Sequence, residues 1–340
     1  MTTQSPTARV SNGGFTYDVY DNWLELPEGW DLQQIVGVAV DSTDRLFVFS
    51  RSDHPLTIFS PDGRLVDAWD DAPFTRPHGV FIGPDDTIFL TDDMGHTVRC
   101  YSRDGKLQMT LGTPGRGSQT GVTDCDYRTM DQAAGPFNLP TNVAISPTGE
   151  LYVSDGYGNA RIHRFSADGM LISSWGEPGS EPGQFHVPHG VRFGPDHTLF
   201  VSDRENFRVQ QFTPQGEYVG EWSDLARPCE VVFDLDGIAY VIEIGFRAGL
   251  FSQHHQSVAT RPGGRLTLID RQGKILAHFG GGDDPNRPGD FYAPHDLAID
   301  SKGNLYIGEV RPGSGRFGEV LSKKDQKQLS ASLLQKFVRM

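Results

Sequence analysis

Three histidines in this chain share one setting. His78, His189 and His295 each follow a proline and open an apolar run, as Pro-His78-Gly-Val, Pro-His189-Gly-Val and Pro-His295-Asp-Leu. Imidazole is a common ligand for zinc and other first-row metals, and three imidazoles with a fourth position left open make a catalytic zinc geometry. Such a metal acidifies a bound water or substrate hydroxyl. One histidine at a strand start is as well explained by packing against its proline. Three at equivalent positions point to a metal, provided the fold brings them together.

The elements that could do so are repeats. Around His189 the chain reads as an apolar strand, a Gly-Pro-Asp turn, a second strand over Leu199, Phe200 and Val201, and a closing Ser-Asp203. The same order of events returns six times at a base period of roughly 40 residues, with Asp-Gly or Gln-Gly turns between the third and fourth strands. Four strands per period of this size are the signature of a β-propeller blade. The position opening strand one is Val36, His78, Thr141, His189, Cys229 and His295 in blades one to six, so histidine occupies alternate blades. In a six-fold ring those blades are a third of a turn apart. The predicted fold is therefore all-β: a six-bladed β-propeller over 15–322, with the strand near Phe15 completing the last blade. A disordered segment 1–14 is expected before it. After it, the spacing of Leu329, Leu333, Leu334 and Phe337 predicts a helix over 323–340, packed on the propeller.

The first and second strands run in opposite directions, so the end of strand two lies on the histidine face. That position reads Arg51, Asp92, Asp155, Asp203, Glu243 and Glu309. Carboxylates there suit acceptance of backbone N–H bonds from the adjoining loop. Arg51 cannot accept and suits a bidentate grip on a substrate carboxylate. Arg204 could supplement it or pair with Glu205. Tyr157, in Ser-Asp-Gly-Tyr157-Gly-Asn, is a candidate base whose phenolate a metal or arginine would favour. The expanded segments 113–137 and 244–264 project from the same face and are candidate walls or lids.

Composition bounds the partners. The chain of 340 residues carries a net charge of -14, which argues against nucleic acid and anionic membrane surfaces. Three cysteines make no disulfide framework. With no apolar run suited to a signal or a membrane span, the expectation is a cytoplasmic protein acting on a small molecule.

Ser-Asp-Gly-Tyr157-Gly-Asn-Ala-Arg, Gly-Gln-Phe-His-Val-Pro-His189, Asp203-Arg204-Glu-Asn and Ala-Pro-His295-Asp296 resemble the NHL-repeat propeller of the peptidyl-α-hydroxyglycine α-amidating lyases. The resemblance covers most of residues 33–310. It implies zinc on His78, His189 and His295, although other divalent transition metals suit the same ligands, and it implies a catalytic Tyr157. It places Arg51 and Arg204 on the substrate and a structural calcium on Val38, Val80 and Asp296. The sequence departs from the animal enzymes at Ala293, where they carry methionine. Asn138, Gly158 and Phe200 stand where they carry disulfide cysteines. The implied reaction is cleavage of a C–N bond in an α-hydroxy amide. Alternatives on the same scaffold are a metal-dependent hydrolase of an ester, lactone or amide, and a non-catalytic NHL interaction platform.

Overall fold

The computed structural model describes residues 5–70, 72–246, 262–310 and 333–340. In chain order the strands are β1 (Ala8–Asn12) and β2 (Phe15–Tyr20), then the blades. Blade one is β3 (Ile35–Val40), β4 (Leu46–Ser50), β5 (Leu56–Phe59) and β6 (Leu65–Trp69). Blade two is β7 (Pro77–Ile82), β8 (Ile88–Asp92), β9 (Thr97–Tyr101) and β10 (Leu107–Gly112), and blade three is β11 (Pro140–Ile145), β12 (Leu151–Asp155), β13 (Arg161–Phe165) and β14 (Leu171–Trp175). Blade four is β15 (Pro188–Phe193), β16 (Leu199–Asp203), β17 (Arg208–Phe212) and β18 (Tyr218–Trp222), and blade five is β19 (Pro228–Phe233), β20 (Ala239–Glu243), β21 (Arg265–Ile269) and β22 (Ile275–Gly280). Blade six is β23 (Pro294–Ile299), β24 (Leu305–Glu309) and β25 (Leu334–Arg339), joined by β2 and β1. These six antiparallel sheets make a six-bladed β-propeller. Among the described residues there is no α-helix, and hence no helix long and apolar enough to cross a membrane.

Both chain ends differ from expectation. Residues 8–12, predicted to be disordered, pair with β2 as strand β1. The helix predicted over 323–340 falls partly on 311–332, outside the described residues, and its remainder is strand β25. Leu334–Arg339 lies between β2 and β24 and hydrogen-bonds to both. Its apolar spacing fits a helix face equally well; the two ladders it completes select the strand, a preference that lies in the partners and not in the segment. The N-terminal strand does enter the last blade, though through β25.

The chain forms two compact units, Asp71–Val231 and Met1–Asp70 with Val232–Met340. In the first, apolar side chains interleave between successive blades: Phe89, Val98, Phe137, Val143 and Val153 form one cluster, and Tyr152, Ile162, Phe185, Val191 and Val201 the next. In the second, Trp23, Ile35, Val38, Tyr306 and Leu334 tie the terminal strands to blade one. Burying side chains of this size contributes roughly 1.5–3 kcal/mol each. First and second strands are almost wholly buried, whereas fourth strands expose residues such as Leu107, Leu171 and Val219.

Candidate active site

The first strands of blades one to four and of blade six open on a β-bulge, and the bulge carries the residue of interest. In blade four Pro188 pairs with Asp203 and Gly190 with Ser202, so His189 has no residue of its own opposite it. The same irregularity falls at Val36, Thr141 and His295, and across 78–79 in blade two. An unpaired bulge residue re-aims its side chain. The preceding proline has no N–H to contribute to a ladder.

The three histidines are buried and bonded alike. His78 Nδ1 lies 2.7 Å from the Thr141 carbonyl, His189 Nδ1 3.0 Å from that of Cys229, and His295 Nδ1 2.9 Å from that of Val36. Each acceptor is the second residue of the next blade's first strand. A carbonyl only accepts, so Nδ1 carries the proton and Nε2 presents a lone pair. Glycine makes the approach possible in blades two and four. A Cβ on Gly79 would stand 2.5 Å from the Thr141 oxygen, and one on Gly190 2.5 Å from the Cys229 oxygen. Among the described residues, His78, His189 and His295 form one group suited to a metal ion, with ligand atoms all within 4.8 Å of one another.

Tyr157 meets two of these histidines. Its hydroxyl lies 3.0 Å from Nε2 of His78 and 3.0 Å from Nε2 of His189, and accepts from Nη1 of Arg204 at 3.2 Å. The loop carrying Tyr157 is fixed by the segment that was a candidate wall. Thr120 donates to the Gly158 carbonyl at 2.6 Å, Asn138 bonds to Ser118 and Thr120, and Asn159 exchanges bonds with Ala134. Tyr127, from the same segment, lies with its ring 5.2 Å from that of His186, and burial pushes its phenol up to about 12. The second candidate wall, 244–264, lies mostly outside the described residues.

Two guanidinium groups bear on the Tyr157 ring, Arg204 at 5.2 Å from its centroid and Arg76 at 5.8 Å. Arg204 opens a short 3-10 turn, Arg204–Asn206, and is held by Glu205 at 2.9 Å, the pairing weighed from the sequence. Glu205 is shared with Arg227, also buried, at 2.7 Å. Burial works against the Arg204 charge, but Tyr157 and Glu205 outweigh it and hold its pKa above the ordinary arginine value.

The ring of strand-two ends needs one correction. Ser50, not Arg51, pairs with Ile35 as Asp203 pairs with Pro188. Arg51 lies one residue further on, where its N–H bonds to Gln34 as that of Arg204 bonds to Val187. It therefore shares the register of Arg204, a relation hidden by counting strand ends from hydrophobicity alone. Its Nη1 donates to Gln34 Oε1 at 2.9 Å. Four of the five acids accept backbone N–H bonds as expected: Asp92 from Thr75 and Arg76, Asp155 from Asn138, Asp203 from His186, and Glu309 from Tyr292 and Ala293, while Glu243 accepts from the side chains of Arg265 and Thr267. Asp296 accepts from the amides of Val38 and Leu297 at 2.9 and 2.8 Å. Arg76 and Arg227 were not anticipated. The position of Arg76, two residues before His78, was the available signal.

Fold and site together define a β-propeller with a histidine set on its bulged first strands and a tyrosine aimed at it. The NHL repeat model matches residues 137–165 and 185–212. NHL repeat-containing protein 3 of Homo sapiens is 30% identical over 80% of this chain and 76% of its own. Peptidyl-alpha-hydroxyglycine alpha-amidating lyase 1 of Drosophila melanogaster is 29% identical over 74% of this chain. The chain belongs to the NHL-repeat propeller family that takes in these proteins. It spans 46% of the fly lyase and 59% of the mouse form of NHL repeat-containing protein 3. A solved structure of streptogramin B lyase shares the fold at a TM-score of 0.59 and 13% identity, covering 95% of this chain and 98% of that one.

Proposed function

We propose that this protein is a metal-dependent lyase that cleaves the C–N bond of a small α-hydroxy amide. The observation that carries the reading is the count of protons at Tyr157. Two imidazole Nε2 lone pairs face one phenol oxygen that has a single proton to give, and a third contact, from Arg204, is already a donor. Such a centre favours a cation, and its donor set of neutral imidazoles suits zinc, iron, manganese or cobalt. His78, His189 and His295 would hold it. Bound there, it would supply Lewis-acid polarisation of a substrate oxygen.

The chain's own residues account for the rest. Arg204, with Arg76 beside it, stabilises the phenolate of Tyr157. The Tyr157 oxygen removes the α-hydroxyl proton, the electron pair left on that hydroxyl oxygen forms the aldehyde carbonyl as the C–N bond breaks, and the departing amide nitrogen, which keeps the C–N pair, takes a proton back. No water is consumed. The family resemblance assigns the substrate carboxylate to Arg51. The relatives named as lyases support the reaction class; the calcium set Val38, Val80 and Asp296 is a structural part of the same proposal.

The test begins with metal content of the purified protein beside a His78→Ala, His189→Ala, His295→Ala variant. About one transition metal per chain, lost in the variant, is expected; a well-folded protein that neither carries nor recovers metal removes the enzyme reading and leaves an interaction platform. Turnover of N-acetyl-α-hydroxyglycine to acetamide and glyoxylate then tests the lyase. In 18O-labelled water the acetamide should contain no label, whereas labelled acetate would make the protein a hydrolase.

A further inference from the structure

The first strands of blades two to five are tied together by four side chains that the proposed reaction leaves unused: Phe81, Asn142, Arg192 and Glu230. Two of the ties skip a blade. Asn142 Nδ2, on β11, donates to Glu230 Oε2, on β19, past the intervening β15. The Arg192 guanidinium, on β15, lies 4.9 Å from the centroid of the Phe81 ring, on β7. Glu230 also faces Arg192, whose Nε stands 3.8 Å from Oε1. At that separation the arginine contributes charge and not a hydrogen bond. The carboxylate is buried, with 1% of its side chain exposed. Both its oxygens accept, Oε2 from Asn142 and Oε1 from the Val231 amide at 2.9 Å.

The place of this bond in the chain is what gives it a use. Asn142 follows Thr141 and Glu230 follows Cys229, the two residues whose carbonyls accept from Nδ1 of His78 and His189. A carbonyl shares its peptide plane with the N and Cα of the next residue, so a side chain that fixes residue 142 or 230 limits how the preceding carbonyl can turn. Each side chain also holds its own backbone: Asn142 Oδ1 accepts from the Val143 amide at 2.8 Å, as Glu230 Oε1 does from that of Val231. The glycine after each histidine leaves the room. A Cβ on Gly79 would stand 2.8 Å from Asn142 Oδ1, and one on Gly190 3.0 Å from Glu230 Oε1. The contacts close on themselves, from His78 to Thr141, Asn142 to Glu230, Cys229 to His189, and Arg192 to Phe81 on the strand that carries His78.

We propose that Glu230 is a positioning residue of this site, and that through its bond to Asn142 it fixes the aim of His78 and His189. This rests on the reading of the histidines as metal ligands, though one of its two readouts needs no metal. The test exchanges donor and acceptor. Asn142→Asp sets two carboxylates against each other, and Glu230→Gln sets an amide N–H2 against another N–H. In the double variant an amide at 230 donates to a carboxylate at 142, and each partner is satisfied again. The probe is zinc, competed against a chelator. Each single variant should bind it roughly 10- to 100-fold more weakly, the typical cost of disturbing the outer partner of a ligand imidazole, and the double variant should return close to wild type. Folded single variants with wild-type zinc affinity overturn the proposal, as does a double variant as weak as the singles. If a single variant fails to fold, Asn142→Ser, which removes the amide without adding a charge, takes its place with the same expected loss and the same overturning result.

The second readout is the Nδ1–H resonances of His78 and His189 in the metal-free protein, which exchange slowly while bonded to their carbonyls. They should be present in the wild type and the double variant and broadened or lost in the singles. Unchanged resonances in the singles overturn the assignment whatever the zinc affinity. A wild type that takes up no zinc would sink the metal reading, and these resonances alone would then decide whether Glu230 sets the two carbonyls.

Discussion

The hydroxyl of Tyr157 stands 3.0 Å from Nε2 of His189, a nitrogen left deprotonated because Nδ1 of the same ring bonds to the Cys229 carbonyl. The phenol is thus tied to the face of the imidazole that would meet a metal. Replacing Tyr157 by Phe removes the oxygen and leaves the ring, so the histidines and both arginines keep their packing. A general base contributes typically 10²- to 10⁴-fold. Tyr157→Phe should therefore lose turnover by about that factor at wild-type metal content. Near-normal kcat would remove Tyr157 from the proton transfer.

Much of this centre was legible in the sequence because blades repeat. A histidine recurring at one register of alternate units can be found by alignment within the chain, and the same alignment places Tyr157, two residues past a strand end, on the histidine face. What escaped depends on single pairings between segments remote in sequence. Arg227 reaches Glu205 across 22 residues and through it fixes Arg204, and no period announces such a contact. Arg51 was misplaced by one residue because Leu46–Ser50 ends on a small polar residue where its counterparts end on acids. β25 was misread because six residues with two apolar anchors fit either period, and its two neighbouring strands made the choice.

The Arg204–Glu205–Arg227 group makes a second prediction. All three side chains are almost fully buried, and Glu205 is the carboxylate between the two guanidinium groups. Glu205→Gln would leave two buried cations without it. Breaking a buried pair in this way costs about 3–5 kcal/mol, so the urea midpoint should fall markedly. Arg204 would also lose its hold at Nε, and kcat in the surviving folded protein should drop with it. A midpoint within experimental error of wild type would show that the group is solvated enough to dispense with its carboxylate.

Glu309 carries a pH dependence. Burial is the main cause that raises its carboxyl from the ordinary 4.5 to about 7, against the amides of Tyr292 and Ala293, which favour the charged form. Between those two values the folded state binds more protons than the unfolded one. The stability linked to this group is therefore fully present below pH 4.5 and lost as pH rises through 7, on the order of 3 kcal/mol in all. Urea unfolding at pH 5 and pH 8 measures it. Glu309→Gln, which keeps the amide contacts but cannot ionise, should shrink the difference between the two. An unchanged difference would place the pH dependence on other groups, of which Asp203, also raised to about 7 by burial, is the next to test.

The last prediction concerns how the histidine nitrogens are aimed. Gly190 follows His189, and a Cβ there would lie 2.5 Å from the Cys229 oxygen, the atom that fixes the His189 tautomer. The clash is with backbone, so it cannot be relieved by turning a side chain; strand β15 or β19 has to move, and His189 moves with it. Overpacking of this kind typically costs 1–3 kcal/mol, and disturbing the partner of a ligand imidazole typically costs 10- to 100-fold in metal affinity. Gly190→Ala should show both effects. Gly220→Ala on the outer strand β18, where a Cβ meets nothing within 4 Å, should show neither. If Gly190→Ala loses stability but binds metal with wild-type affinity, the carbonyl contact serves packing alone and the aim of His189 must be set elsewhere, by the bulge itself.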